Sequence, residues 1–137
     1  MKKEPVPLLI RLQDYLVCVL LHLMFPLLPL GLEYWTTQNI AETSLTLMAS
    51  VYAISIGLSS SSPLLFGIGI LVSFVFSFAF GMTSALHQGA AQQIPPLPYV
   101  KELAMISIML IFIMQASERF KRHIIQGKRF WTWYSDE

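Results

Sequence analysis

The sequence holds few side chains that could do chemistry together. His22 lies deep inside a long apolar run, and Cys18, the only cysteine, lies one helical turn before it on the same predicted face. Ionisable groups at membrane depth are costly and are functional candidates by default. A metal site or an activated thiol would need further ligands or an orienting carboxylate, and this run contains none. We interpret His22 as a candidate polar contact between helices, with pore lining or proton handling as the alternative.

Other polar residues of the apolar segments are expected to serve packing. Gln115 is a second candidate polar contact, directed at a neighbouring helix. Serines could line a pore, but serine also bonds to its own helix backbone and packs well between helices. We favour packing for the serines of the two middle segments, which are Ser50, Ser55, Ser59, Ser73 and Ser77. His123 is expected at the inner membrane border, where it would be solvated or interfacial.

Enzyme motifs are absent from the sequence. It contains no Walker loop, dinucleotide fingerprint, HExxH motif or GxSxG motif, and no paired carboxylates. A transporter of typical design would show inverted repeats with broken helices and buried charges, and no convincing repeat is present. We therefore expect neither an enzyme nor a bound cofactor or metal, and no nucleic-acid partner.

Composition predicts a membrane protein. Of the 137 residues, 55% are hydrophobic and only 12% are charged, whereas about a quarter are charged in soluble domains. No Asp, Glu, Lys or Arg occurs from Thr43 to Val100, or from Tyr15 to Leu32. Because a spanning helix needs roughly 20 apolar residues, the longer run can hold two spans and the shorter run one.

The predicted fold is an all-α bundle of four transmembrane helices with a cytoplasmic C-terminal helical extension. Pro26 and Pro29 each remove a backbone donor and should distort the outer half of the first span. The predicted segments are a cytoplasmic N-terminus (1–14), a first span (15–35), an external loop (36–43), a second span (44–60), a cytoplasmic turn (61–63), a third span (64–86), an external loop (87–98), a fourth span (99–117) and a cytoplasmic amphipathic helix and tail (118–137).

Small residues recur every four positions on the second and third spans. In lipid, such residues let helix backbones approach closely. They predict a tight hairpin, or one stripe used within the chain and the other between chains, and we therefore expect a homo-oligomer. These helix-packing residues are Ala49, Ala53, Gly57, Gly69, Ser73, Ser77, Gly81 and Ala85.

Positive charge is concentrated near the two ends of the chain. Of nine Lys and Arg residues, only Lys101 lies elsewhere. The positive-inside bias then places both termini in the cytoplasm of a multi-pass protein, which requires an even number of crossings. We expect a bacterial inner membrane. Glu118 has the helical spacing to pair with Lys121 and Arg122.

The basic and aromatic C-terminus is the candidate docking surface for a partner or for lipid. Arginine and exposed aromatic residues are enriched at binding hot spots. We expect a small membrane interaction subunit, a sensor or scaffold of a stress, phage-defence or toxin-immunity system, that self-assembles in the lipid bilayer and docks a cytosolic protein. The alternative is a small oligomeric ion channel. The docking residues are Arg119, Lys121, Arg122, Lys128, Arg129, Trp131 and Trp133.

Overall fold

The computed structural model describes residues 7–87 and 98–127, and every regular element in these ranges is helical. A π-helix (Val19–Met24) and a 3-10 turn (Phe25–Leu27) join α1 to α2, and a second π-helix (Lys121–Ile125) continues α5. The α-helices are α1 (Leu8–Cys18), α2 (Leu28–Thr37), α3 (Glu42–Ser59), α4 (Pro63–His87) and α5 (Val100–Phe120).

Three of the helical segments are long and apolar enough to cross a membrane. They are Leu8–Thr37, Pro63–Leu86 and Val100–Ile125. The prediction of an all-α, multi-pass membrane protein is thereby confirmed. Helix α3, with 18 residues, is not among the three, so the fourth crossing stays a prediction.

The first helical segment passes through two prolines by changing its winding. The N–H of Phe25 bonds to the carbonyl of Leu20, five residues earlier. The N–H of Leu28 then bonds to the carbonyl of Phe25, three residues earlier. That second bond gives the Phe25 carbonyl a donor, which Pro29 could not supply. The segment begins at Leu8, within residues 1–14, which the sequence predicts as a cytoplasmic N-terminus before the first span.

Helices α3 and α4 form a hairpin with touching backbones. A Cβ atom added to Gly69 would lie 2.6 Å from the carbonyl oxygen of Ala53 and 2.9 Å from the Cα of Gly57. The Ser50 hydroxyl donates to the Ser73 carbonyl at 3.0 Å and shares a 2.7 Å hydrogen bond with the Ser77 hydroxyl. These contacts place small residues where the helices cross closely, as the four-residue spacing predicts.

The small-residue set is divided between the hairpin interface and other surfaces. Five members are buried, namely Ala49, Ala53, Gly57, Gly69 and Ser73. Ser77 and Gly81 are exposed, and Ala85 is half-buried. A Cβ added to Gly81 would meet nothing within 4 Å. The packing of α3 against α4 therefore does not require a glycine at this position.

Helix α3 lies at the centre of the bundle. It contacts α4, α5 and α2, and the largest fully buried side chain of the described residues is its Tyr52. The core residues are Leu23, Leu45, Ala49, Tyr52, Ala53, Ile56, Phe76, Ala79, Val100, Ala104, Ile108 and Ile111.

Contacts between loops and helix ends define the two ends of the bundle. At one end, Lys101 Nζ donates to Asn39 Oδ1 at 3.0 Å. At the other, which we call the basic end, Ser60 donates to Glu118 and Arg11 donates to the carbonyl of Ile124. Helices α3 and α5 therefore run from the Lys101 end to the basic end, and the first segment and α4 run the opposite way.

Candidate functional site

A carboxylate from α5 holds the turn between α3 and α4. Glu118 accepts hydrogen bonds from the Ser60 hydroxyl at 2.6 Å, the Ser61 hydroxyl at 2.6 Å and the Ser61 N–H at 3.0 Å. Hydrogen bonds to an ionised acceptor are roughly twice as strong as neutral ones. Glu118 thus joins the end of α5 to the hairpin at the basic end.

The neighbouring cation, Arg119, caps the C-terminal end of α3. Arg119 is buried, and its Nη2 donates to the carbonyl of Ser59 at 2.6 Å. Ser59 is the last residue of α3, where carbonyls lack partners within the helix. Arg119 supplies the missing donor, and this use explains why a charged side chain is buried here.

Gln115 connects these two charged residues. With its amide oriented so that donors face acceptors, its oxygen accepts from Arg119 Nε at 3.1 Å and its nitrogen donates to Glu118 Oε2 at 3.1 Å. Gln115 is only 1% exposed. The predicted polar contact between helices therefore lies in the middle of a buried network. We call Ser59, Ser60, Ser61, Gln115, Glu118 and Arg119 the polar lock.

The polar lock is suited to holding helices rather than to reacting with a substrate. The carboxylate, the guanidinium and the amide all have partners within the chain. Paired and hydrogen-bonded charges are tolerated in a low-dielectric interior, whereas removal of one partner is strongly destabilising. Among residues 7–87 and 98–127, no three His, Cys, Asp or Glu side chains are placed to hold a metal ion.

The C-terminal turns of the helix pack on the start of the first segment. Arg11 Nη1 donates to the carbonyl of Ile124 at 3.2 Å, and the rings of Tyr15 and Phe120 meet edge to face at 5.6 Å. Gly127 has φ +64°, and an added Cβ there would lie 3.1 Å from the Arg11 guanidinium carbon. Gly127, the last residue that the structure describes, is therefore held beside Arg11.

His123 is buried by this packing. The sequence predicts a solvated or interfacial side chain, but His123 is only 2% exposed, because α1 packs against Lys121–Ile125. The sequence gives no sign of that contact, because it joins residues from opposite ends of the chain.

His22 and Cys18 differ in burial. Cys18 and Leu23 are both fully buried, whereas His22 is exposed. The chain between them is not an α-helix, because it winds as a π-helix from Val19 to Met24.

The predicted docking residues occupy three kinds of position. Arg119 belongs to the polar lock. Lys121 is exposed and Arg122 is half-buried, and both line a groove of about 270 Å³ with Ser61, Glu118 and Gln126. Lys128, Arg129, Trp131 and Trp133 lie outside the described residues.

Sequence reasoning missed the serine turn as the partner of Glu118. Helical spacing suggested pairs with Lys121 and Arg122, but the carboxylate is bonded to Ser60 and Ser61 instead. The available signal was the run Ser59–Ser62, a turn rich in hydroxyl donors and free of charge.

No known protein family matches this chain, and neither a curated protein nor a solved structure matches it.

Proposed function

We propose that this chain is a four-span membrane interaction subunit that assembles with copies of itself and docks a cytosolic protein through its basic, aromatic C-terminus. The observation that carries this proposal is the position of Gly127, which is held beside Arg11 at the basic end. A docking segment that starts from a fixed point loses less freedom on binding than a freely moving one, which favours affinity.

The fourth crossing in this proposal is α3. It runs between the same two ends as α5, which has 21 residues. With 18 residues it is about 27 Å long, close to the roughly 30 Å hydrocarbon thickness. Two of its polar side chains, Thr46 and Ser50, are buried against other helices, whereas Ser55 is exposed. A helix at the centre of a bundle can be less apolar than one that faces lipid.

Orientation follows from charge. Arg11, Lys121 and Arg122 lie at the basic end, and Lys101 lies at the other. The positive-inside bias assigns the basic end to the cytoplasm. Four crossings then put both termini there, and a bacterial inner membrane is the setting we propose.

Self-association is supported by the outward face of α4. Phe74 and Phe78 are 79% and 72% exposed, and a Cβ added at Gly67 or Gly81 would meet nothing within 4 Å. Small residues at a membrane helix surface allow another helix to approach. The inward face of α4 is already used by α3, so the outward face is available for a second copy.

A photo-crosslinking experiment tests the docking proposal. A photoreactive amino acid replaces Trp131 or Trp133 in the full chain in its native membrane, and crosslinked proteins are identified by mass spectrometry. We expect both positions to capture the same cytosolic protein. The matched control is Trp35, an exposed tryptophan on α2, the helix that ends next to Asn39.

Two results would contradict the proposal. One is capture of the same protein from position 35, which would indicate non-specific contact. The other is full recovery of the partner by a chain that carries Arg129→Ala, Trp131→Ala and Trp133→Ala. That variant should still assemble, because it leaves every residue of α4 unchanged.

A small oligomeric channel is the second candidate, and the position of His22 favours it. His22 is exposed and lies near the midpoint of the 30-residue first segment. Ionisable residues at that depth usually face a bundle interior or a water-filled cavity. The serines offer less support, because Ser50 is hydrogen-bonded to both Ser73 and Ser77 across the hairpin. A channel would show conductance in planar bilayers that changes with His22→Ala.

A further inference from the structure

A groove at the basic end combines two cations with the turn between α3 and α4. It has a volume of about 270 Å³, which admits a phosphate group together with water. The side chains of Lys121 and Arg122 form no hydrogen bond or ion pair with any residue that the structure describes. The groove is lined by Ser61, Glu118, Lys121, Arg122 and Gln126.

The groove favours an anion although Glu118 lines it. Both carboxylate oxygens of Glu118 accept hydrogen bonds from the serine turn, Oε2 from Ser60 and Oε1 from Ser61. Arg119, next in the chain, adds further positive charge beside this carboxylate. Lys121 and Arg122 therefore outnumber the single acidic group, and that group is already satisfied within the chain.

The depth of the groove matches the headgroup layer of a membrane. Helix α5 has 21 residues, or about 31 Å, which is the thickness of the hydrocarbon core. Lys101 lies near its start, so Lys121 and Arg122, just past its end, lie at the opposite headgroup layer. Leucines flank Ser61 in the chain on both sides, and Leu58 and Leu64 are 66% and 68% exposed. They offer apolar surface to acyl chains.

We infer that Lys121 and Arg122 bind the phosphate of an anionic phospholipid from the leaflet that faces the basic end. Basic pockets at the cytoplasmic ends of membrane helices recognise anionic headgroups in this way. The exposed leucines and the headgroup depth favour a lipid over a phosphate free in solution. This inference requires that α5 spans the membrane, but it does not depend on docking of a cytosolic protein.

Native mass spectrometry of the purified full chain tests the inference. The chain in detergent is titrated with phosphatidylglycerol or with phosphatidylcholine, and retained lipid is counted for each variant. One cation near a membrane surface contributes about fivefold to binding of anionic lipid. We expect Lys121→Gln and Arg122→Gln each to lower phosphatidylglycerol retention about fivefold, without changing phosphatidylcholine retention.

The matched control is Lys101→Gln, which removes one positive charge at the other end. It should leave phosphatidylglycerol retention unchanged. Equal losses in Lys101→Gln and Lys121→Gln would overturn the inference, because they would show dependence on total charge alone. Equal retention of the two lipids by the unaltered chain would also overturn it.

Competition with inorganic phosphate distinguishes a lipid headgroup from phosphate free in solution as the ligand of the groove. If the groove holds a lipid, millimolar phosphate at constant ionic strength should not displace phosphatidylglycerol. Complete displacement would overturn the assignment to lipid. Because no cytosolic protein is present in this experiment, its result does not depend on whether the proposed docking function is correct.

Discussion

The carboxylate of Glu118 accepts two hydrogen bonds from Ser61, one from its backbone N–H at 3.0 Å and one from its hydroxyl at 2.6 Å. The two residues are 57 positions apart in the chain. Through this contact, the last helix restrains the turn that joins the two before it. The small-residue crossing of α3 and α4 and the polar lock therefore act on the same hairpin, one along its length and the other at its end.

Replacement of Glu118 should loosen the hairpin from α5. Glu118→Ala removes the acceptor of four hydrogen bonds and leaves Ser60, Ser61 and Gln115 without this partner. Hydrogen bonds to charged groups contribute about 1.5–3 kcal/mol each, and losses from a shared group are not additive. We expect thermal unfolding in detergent at a clearly lower temperature. Glu102→Ala, an exposed acidic residue in the first turn of α5, is the control and should unfold as the unaltered chain does.

Replacement by alanine should change stability in opposite directions at two glycines of α4. In Gly69→Ala the new methyl group would lie 2.6 Å from the backbone oxygen of Ala53, so the helices must separate at a cost of about 1–3 kcal/mol. In Gly81→Ala the methyl group meets nothing within 4 Å, and alanine favours the helix by up to about 1 kcal/mol. Thermal unfolding of both variants is the measurement. Equal destabilisation would show that the crossing at Gly69 is not close.

The membrane class and the hairpin were predictable because they depend on local patterns. Charge-free runs predict apolar helices wherever they occur. The four-residue spacing that links Gly69 to Ser73 predicts a close crossing, since it puts small side chains on one helix face. Both signals act within a single segment, and both are visible without knowledge of the remaining chain.

The polar lock and the outward position of His22 were not predictable in the same way. Glu118 meets Ser60 and Ser61 only after the helices have packed, and helical spacing offered two nearby cations as simpler partners. The chain from Val19 to Met24 is a π-helix that carries the exposed His22, whereas the prediction of a face shared with Cys18 assumed α-helical spacing between those two residues. Long-range contacts and changes of winding leave no periodic mark in a sequence.

Loss of Arg11 should free the C-terminal turns. Its guanidinium donates to the carbonyl of Ile124 and lies beside Gly127, so Arg11→Gln removes the charged contact that joins α1 to the end of the last helix. We expect faster amide hydrogen exchange over residues 121–127, by about tenfold, which corresponds to about 1.4 kcal/mol. Exchange within α3 should not change.

Lys101→Gln serves as the control for Arg11→Gln, because it removes one positive charge at the other end of the bundle. It should leave exchange over residues 121–127 unaltered. If Arg11→Gln also left exchange over residues 121–127 unaltered, the hydrogen bond from Arg11 to Ile124 would not stabilise these turns.

The crossing of α3 can be tested directly by cysteine labelling. Cys18→Ala first removes the only natural thiol, and Thr36→Cys or Ser62→Cys then places one thiol before or after α3. Because α3 should carry the chain across the bilayer, a membrane-impermeant maleimide added to intact cells should label position 36 and not position 62. Gln126→Cys, exposed at the basic end, should react only after the membrane is permeabilised. Labelling of positions 36 and 62 from the same side would mean that α3 lies within or on one leaflet, and the chain would then cross three times.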